Sequence, residues 1–133
     1  MITKLSHIGI VVRNIEEATK YWTETFGFKV SHSGNAGVEG IKSVFLEVGD
    51  NFIEFLEPVD HHDMSNAVAR RLASKGEGVY HIALVVDDLD NAGKELENKG
   101  VISIKRPATE DQPHGRLIIH PKSANGVMLE LLI

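Results

Sequence analysis

Two histidines and two glutamates occupy matched places in a chain that nearly repeats itself. Residues 5–22 read Leu-Ser-His-Ile-Gly-Ile-Val-Val-Arg-Asn-Ile-Glu-Glu-Ala-Thr-Lys-Tyr-Trp, and residues 79–96 read Val-Tyr-His-Ile-Ala-Leu-Val-Val-Asp-Asp-Leu-Asp-Asn-Ala-Gly-Lys-Glu-Leu, at an offset of 74 without a gap. His7 matches His81, Val11-Val12 match Val85-Val86, and Ala18 and Lys20 match Ala92 and Lys94. Each copy ends in an apolar run holding one carboxylate, Glu54 in Phe52–Leu56 and Glu130 in Met128–Leu132. The spacing from histidine to glutamate is 47 positions in the first copy and 49 in the second. One strand histidine, or one strand glutamate, is ordinarily structural. Two equivalent pairs among apolar neighbours are different. Burying an unpaired carboxylate costs several kcal/mol, so burying two calls for cations or protons to compensate. If the halves pack with pseudo-twofold symmetry, His7, Glu54, His81 and Glu130 converge on one point. Two imidazoles and two carboxylates suit a divalent transition metal, with two octahedral positions left for water or substrate.

The elements that must carry these groups follow from the pattern. Alternation places Leu5, His7, Gly9 and Val11 on one strand face and Ile8, Ile10 and Val12 on the other. In the second copy Val79, His81, Ala83 and Val85 oppose Ile82, Leu84 and Val86. The wholly apolar face wants a helix against it. The histidine face carries the smallest residues, Gly9 and Ala83, which leaves space before each imidazole. A helix follows each strand. Asn14 is its N-cap in the first copy, with Glu17 at the capping-box position, Ile15, Ala18, Trp22 and Phe26 as core stripe, and Gly27 as stop. In the second copy Asp88 caps, Leu89, Ala92 and Leu96 form the stripe, and Gly100 closes. Further strands are expected over 28–31, 43–48, 101–104 and 116–119. Each half therefore reads strand–helix–strand–strand–strand. Residues 59–78 form a polar join with a short helix over 66–74.

The bulk properties fit this plan. The chain has 133 residues, 42% hydrophobic, a formal charge of −5, seven histidines and no cysteine. That length suits one domain. Mild acidity argues against nucleic-acid binding, and without cysteine there is no disulfide or thiolate ligand. No apolar run approaches the roughly 18–20 residues that span a bilayer. The first residues enter a strand-like run directly, so no signal peptide is expected and the expected location is cytoplasmic.

The doubled module with its His…Glu…His…Glu set resembles the vicinal-oxygen-chelate superfamily, over nearly the whole chain. Narrower matches are similar to the methylmalonyl-CoA epimerase family: His7–Val12, Ile53–Pro58, Gly76–Leu84, and His120-Pro121-Lys122-Ser123 with Gly126–Leu131. The resemblance implies an α+β fold. Its two tandem βαβββ modules (about 1–58 and 79–133, joined by about 59–78) would form a single domain, a curved mixed sheet around a central metal site. It implies His7, Glu54, His81 and Glu130 as ligands of one divalent ion (Co2+, Ni2+, Mn2+ or Zn2+), and Glu130 also as base. The implied substrate is a small acyl-CoA thioester. A proton is abstracted alpha to the thioester, and the resulting enolate is reprotonated on the opposite face, interconverting (R)- and (S)-methylmalonyl-CoA. Lys122 and Ser123 fall at a substrate-side loop, and a homodimer is expected.

Some positions depart from the family pattern. Ser43 stands where some members carry a glutamate that serves as second base, and Tyr80 where a second histidine is common. The Asp60–Met64 loop is longer, and the segment around His114-Gly115-Arg116 is two residues shorter. A rival within the superfamily is a glyoxalase I-like lactoylglutathione lyase, although the Asp-Pro-Asp-Gly type of turn of that branch is replaced by His120-Pro121-Lys122-Ser123. A rival of another class is a non-catalytic small-molecule binding or resistance protein on the same fold, which usually lacks the ligand set. His61-His62 between Asp60 and Asp63 reads as a solvated loop rather than a metal site.

Overall fold

The computed structural model describes residues 1–34 and 39–133. The chain packs as two compact units: Met1–His7 with Tyr80–Ile133, and Ile8–Val79. The first strand, β1 (Ile2–Val11), begins in one and ends in the other.

The Ile8–Val79 unit holds the end of β1, α1 (Ile15–Phe26), β2 (Val30–Ser33), β3 (Ile41–Val48), β4 (Asn51–Pro58) and α2 (Ala67–Lys75). Its strands lie in the order β2-β3-β4-β1, with β2–β3 and β3–β4 antiparallel. Asn14 caps α1 as expected, its side chain accepting the Glu17 N–H at 2.9 Å. Cross-strand pairs sort the residues by face. Val44 and Leu46 on β3 and Ile53 and Phe55 on β4 meet Ile15, Ala18 and Trp22 of α1 in the core. Phe55 is fully buried, and truncating such a ring to alanine costs about 3–5 kcal/mol. Ser43, Phe45, Phe52 and Glu54 occupy the opposite face.

Phe26 corrects the expected core stripe, because it is 59% exposed. Phe28 takes its place, packing against the core under α1 with its ring centroid 5.4 Å from that of Trp22. This is also why β2 starts at Val30 and not at 28: Phe28 is drawn into the core first. Helix α2 begins one residue later than expected, since Asn66 caps it by accepting the Val68 and Ala69 N–H groups.

The other unit holds the start of β1, β5 (Gly78–Val86, which enters this unit at Tyr80), α3 (Leu89–Asn98), β6 (Ser103–Arg106), β7 (Arg116–Ile119), a 3-10 turn over Pro121–Ser123, and β8 (Met128–Leu132). The order is β1-β5-β8-β7-β6. β5–β8 is parallel, while β6–β7 and β7–β8 are antiparallel. Val86, Leu89, Ala92, Leu117, Ile119 and Leu131 form its core beneath α3. Asp88 caps α3. Gly100, at φ 78, closes it as expected: the Val101 N–H reaches back to the Leu96 carbonyl and the Gly100 N–H to that of Glu97. Val101 is thereby held against the core. This moves β6 two residues downstream of its expected start at 101.

Helices and mixed strand pairing make this an α+β fold. Among the described residues, no helix is long and apolar enough to cross a membrane.

Candidate metal centre

Strand pairing brings two histidines face to face. The Asp87 N–H bonds the Met1 carbonyl, and the Thr3 hydroxyl donates to the Val85 carbonyl. Each step forward on β1 is thus a step back on β5, an antiparallel register that sets His7 opposite His81. Their Nε2 atoms are 3.2 Å apart, with the rings edge-on at 80°. On the other side of β5, parallel pairing sets Glu130 of β8 beside Ala83, two residues along from His81 and on the same face. The small Ala83 side chain leaves room above it, and Glu130 Oε2 lies 3.9 Å from His81 Nε2. His7, His81 and Glu130 are all buried, and one ligand atom from each falls within 4.8 Å of the others.

This donor set fits a metal ion. Two nitrogens 3.2 Å apart can both bond one ion at about 2.1 Å with an angle of about 100°. Ser6 Oγ lies 2.9 Å from His7 Nδ1. If Nδ1 carries the proton and donates it there, Nε2 presents its lone pair to the ion, the usual arrangement for a ligating imidazole.

Arg116 joins the cluster, and the sequence reading did not single it out. Its Nη1 is 3.4 Å from Glu130 Oε2. The signal was present: Leu117 and Ile119 of β7 face the core, so Arg116 and Ile118 share the other face with Glu130.

The other sequence candidates lie on other elements. Glu54 belongs to the Ile8–Val79 unit, buried on β4 opposite Phe45 of β3. His32, which has no counterpart in the repeat, stacks on Phe45, ring centroids 4.4 Å apart. Lys122 and Ser123 are exposed in the 3-10 turn, where His120 Nδ1 accepts the Lys122 N–H. In the Asp60–Met64 loop, Asp60 accepts the His62 N–H and Asp63 accepts both the N–H and the hydroxyl of Ser65. Those bonds hold the Asp63 carboxyl below its usual range. The carboxylates of that loop thus shape its turns. His61 instead meets Glu57, a buried carboxylate whose other oxygen accepts the Ile15 N–H at the start of α1. Glu57 was also missed by the sequence reading.

Comparison with known proteins agrees with this architecture. Residues 6–119 match the family model of the Glyoxalase/Bleomycin resistance protein/Dioxygenase superfamily. The chain belongs to this superfamily. Within the superfamily it is 34% identical to the mitochondrial methylmalonyl-CoA epimerase of Dictyostelium discoideum, over 98% of this chain and 78% of that one. Its structure resembles that of the methylmalonyl-CoA epimerase from Mycobacterium tuberculosis, with a TM-score of 0.86 and 29% identity over 98% of this chain and 87% of that one. A variant of the Streptomyces coelicolor methylmalonyl-CoA epimerase, solved in complex with 2-nitronate-propionyl-CoA, gives a TM-score of 0.86 and 29% identity, covering 99% of this chain and 97% of that one.

Proposed function

We propose that this superfamily member is a metal-dependent epimerase that interconverts (R)- and (S)-methylmalonyl-CoA. The observation that carries the reading is the buried convergence of His7, His81 and Glu130, in a chain similar to methylmalonyl-CoA epimerases along nearly its whole length. These three residues would hold a divalent ion (Co2+, Ni2+, Mn2+ or Zn2+), with Glu54 as fourth ligand on the strength of the repeat. When bound, the ion supplies Lewis acidity toward the thioester and carboxylate oxygens of the substrate.

The chain's own groups do the rest. A Glu130 carboxylate oxygen takes the proton from the carbon between thioester and carboxylate. Inversion further requires a proton donor on the opposite face of that carbon. Burial of His7, His81 and Glu130 keeps bulk water from competing and strengthens each electrostatic contact. Lys122 and Ser123 are proposed at the substrate side, the Lys122 ammonium serving a carboxylate or a coenzyme A phosphate. The protein is proposed to act as a cytoplasmic homodimer, a state that sedimentation equilibrium reads directly.

The test offers metal-reconstituted protein (2R)-methylmalonyl-CoA and, separately, the hemithioacetal of methylglyoxal and glutathione. Inversion of the first with no conversion of the second is expected. Isomerisation of the hemithioacetal with no inversion would replace this reading by a lyase one.

A further inference from the structure

A guanidinium beside a cation site requires an explanation. Arg116 opens β7, and the register that sets Ile118 opposite Glu130 puts the Arg116 side chain on the Glu130 face. That side chain is 14% exposed. Its entry is fixed by Gly115, at φ 76, where an added Cβ would come within 2.6 Å of the Arg106 carbonyl oxygen. The contact between Nη1 and Glu130 Oε2, at 3.4 Å, is a long one for a charge-assisted bond.

The electrostatics follow. Arg116 offsets the negative charge that Glu130 would present to a divalent ion. An ion held by His7, His81 and Glu130 would add a second positive group near that carboxylate, in surroundings too buried for water to screen them well. Such a centre favours an anionic ligand. A carboxylate matches it best, because the planar fork of arginine donates two parallel hydrogen bonds to the two oxygens of a carboxylate.

We propose that Arg116 receives the free carboxylate of the acyl group, and so selects thioesters of dicarboxylic acids over those of simple fatty acids. This rests on the acyl-CoA reading above. It makes Arg116 a specificity-determining residue on the substrate side of Glu130.

Binding separates the two claims. Metal-loaded wild-type, R116Q and R116K proteins are titrated calorimetrically with methylmalonyl-CoA and with propionyl-CoA, which lacks the carboxylate, and their metal content is measured in parallel. Wild type should prefer methylmalonyl-CoA. R116Q should narrow that preference about tenfold to a hundredfold, the effect of one lost hydrogen-bonded charge, when each protein carries its full complement of metal. R116K, which keeps the charge without the fork, should fall between. An unchanged preference in R116Q at full metal content would overturn the proposal. Should R116Q not fold, a wild-type preference in R116K would overturn it equally. Wild-type protein that binds methylmalonyl-CoA without inverting it would remove the epimerase reading and leave the Arg116 comparison standing.

Discussion

The Nε2 atoms of His7 and His81 lie 3.2 Å apart in space and 74 residues apart in sequence, and 74 is also the offset of the internal repeat. The repeat therefore brings the same atom of the same residue type to one place from both copies. Neither copy supplies the pair alone. The arrangement that makes β1 and β5 neighbours is the one that creates the donor set.

Metal binding should register as stability. An ion that binds the folded chain and not the unfolded one adds about 2.7 kcal/mol at a hundred times its dissociation constant. Wild-type protein should melt at a higher temperature with added Co2+, Ni2+, Mn2+ or Zn2+. His81→Ala should lose most of that shift and retain little metal after dialysis. A His81→Ala protein that keeps the full shift would remove His81 from the site.

Ser6→Ala tests the orientation of His7. The hydroxyl lies 2.9 Å from Nδ1 and touches no other member of the cluster by that contact. Losing an outer partner of a ligating histidine lowers metal affinity about tenfold to a hundredfold. Competition with a chelator should show that drop, with the melting temperature of the metal-free protein little changed. Unaltered affinity would mean the hydroxyl does not set the ring.

Glu57→Ala should act on stability alone. One of its oxygens accepts the Ile15 N–H at 2.8 Å and the other lies 2.7 Å from His61 Nε2. Leaving a buried N–H without its partner costs about 1–3 kcal/mol. Urea unfolding should show that loss, while turnover per folded molecule stays at the wild-type value. A fall in turnover at full metal occupancy would give Glu57 a role beyond anchoring α1.

Much of this was legible in the sequence, for reasons that can be named. Caps at Asn14 and Asp88 and the stop at Gly100 are local, set by neighbouring residues, and the structure carries them out as written. His7, His81 and Glu130 were visible because the repeat doubled a weak signal. Phe26 was misread because periodicity says which face a residue shares but not where the sheet beneath the helix ends. In the structure, Phe28 fills that end. Arg116 and Glu57 escaped because their partners, Glu130 and the Ile15 N–H, lie 14 and 42 residues away and meet them only once the strands pair.

The central claim is proton abstraction by Glu130 at a site held with His7 and His81. It is tested most directly by following deuterium uptake at the carbon between thioester and carboxylate of methylmalonyl-CoA. The reaction is run in deuterium oxide with metal-reconstituted wild-type and Glu130→Gln proteins and read by NMR. Wild type should exchange and invert this carbon, and Glu130→Gln should slow exchange by about a hundredfold to ten-thousandfold, the usual contribution of a positioned acid–base group. No exchange by wild type with any of the four metals, or equal exchange by the variant at equal metal content, would contradict it.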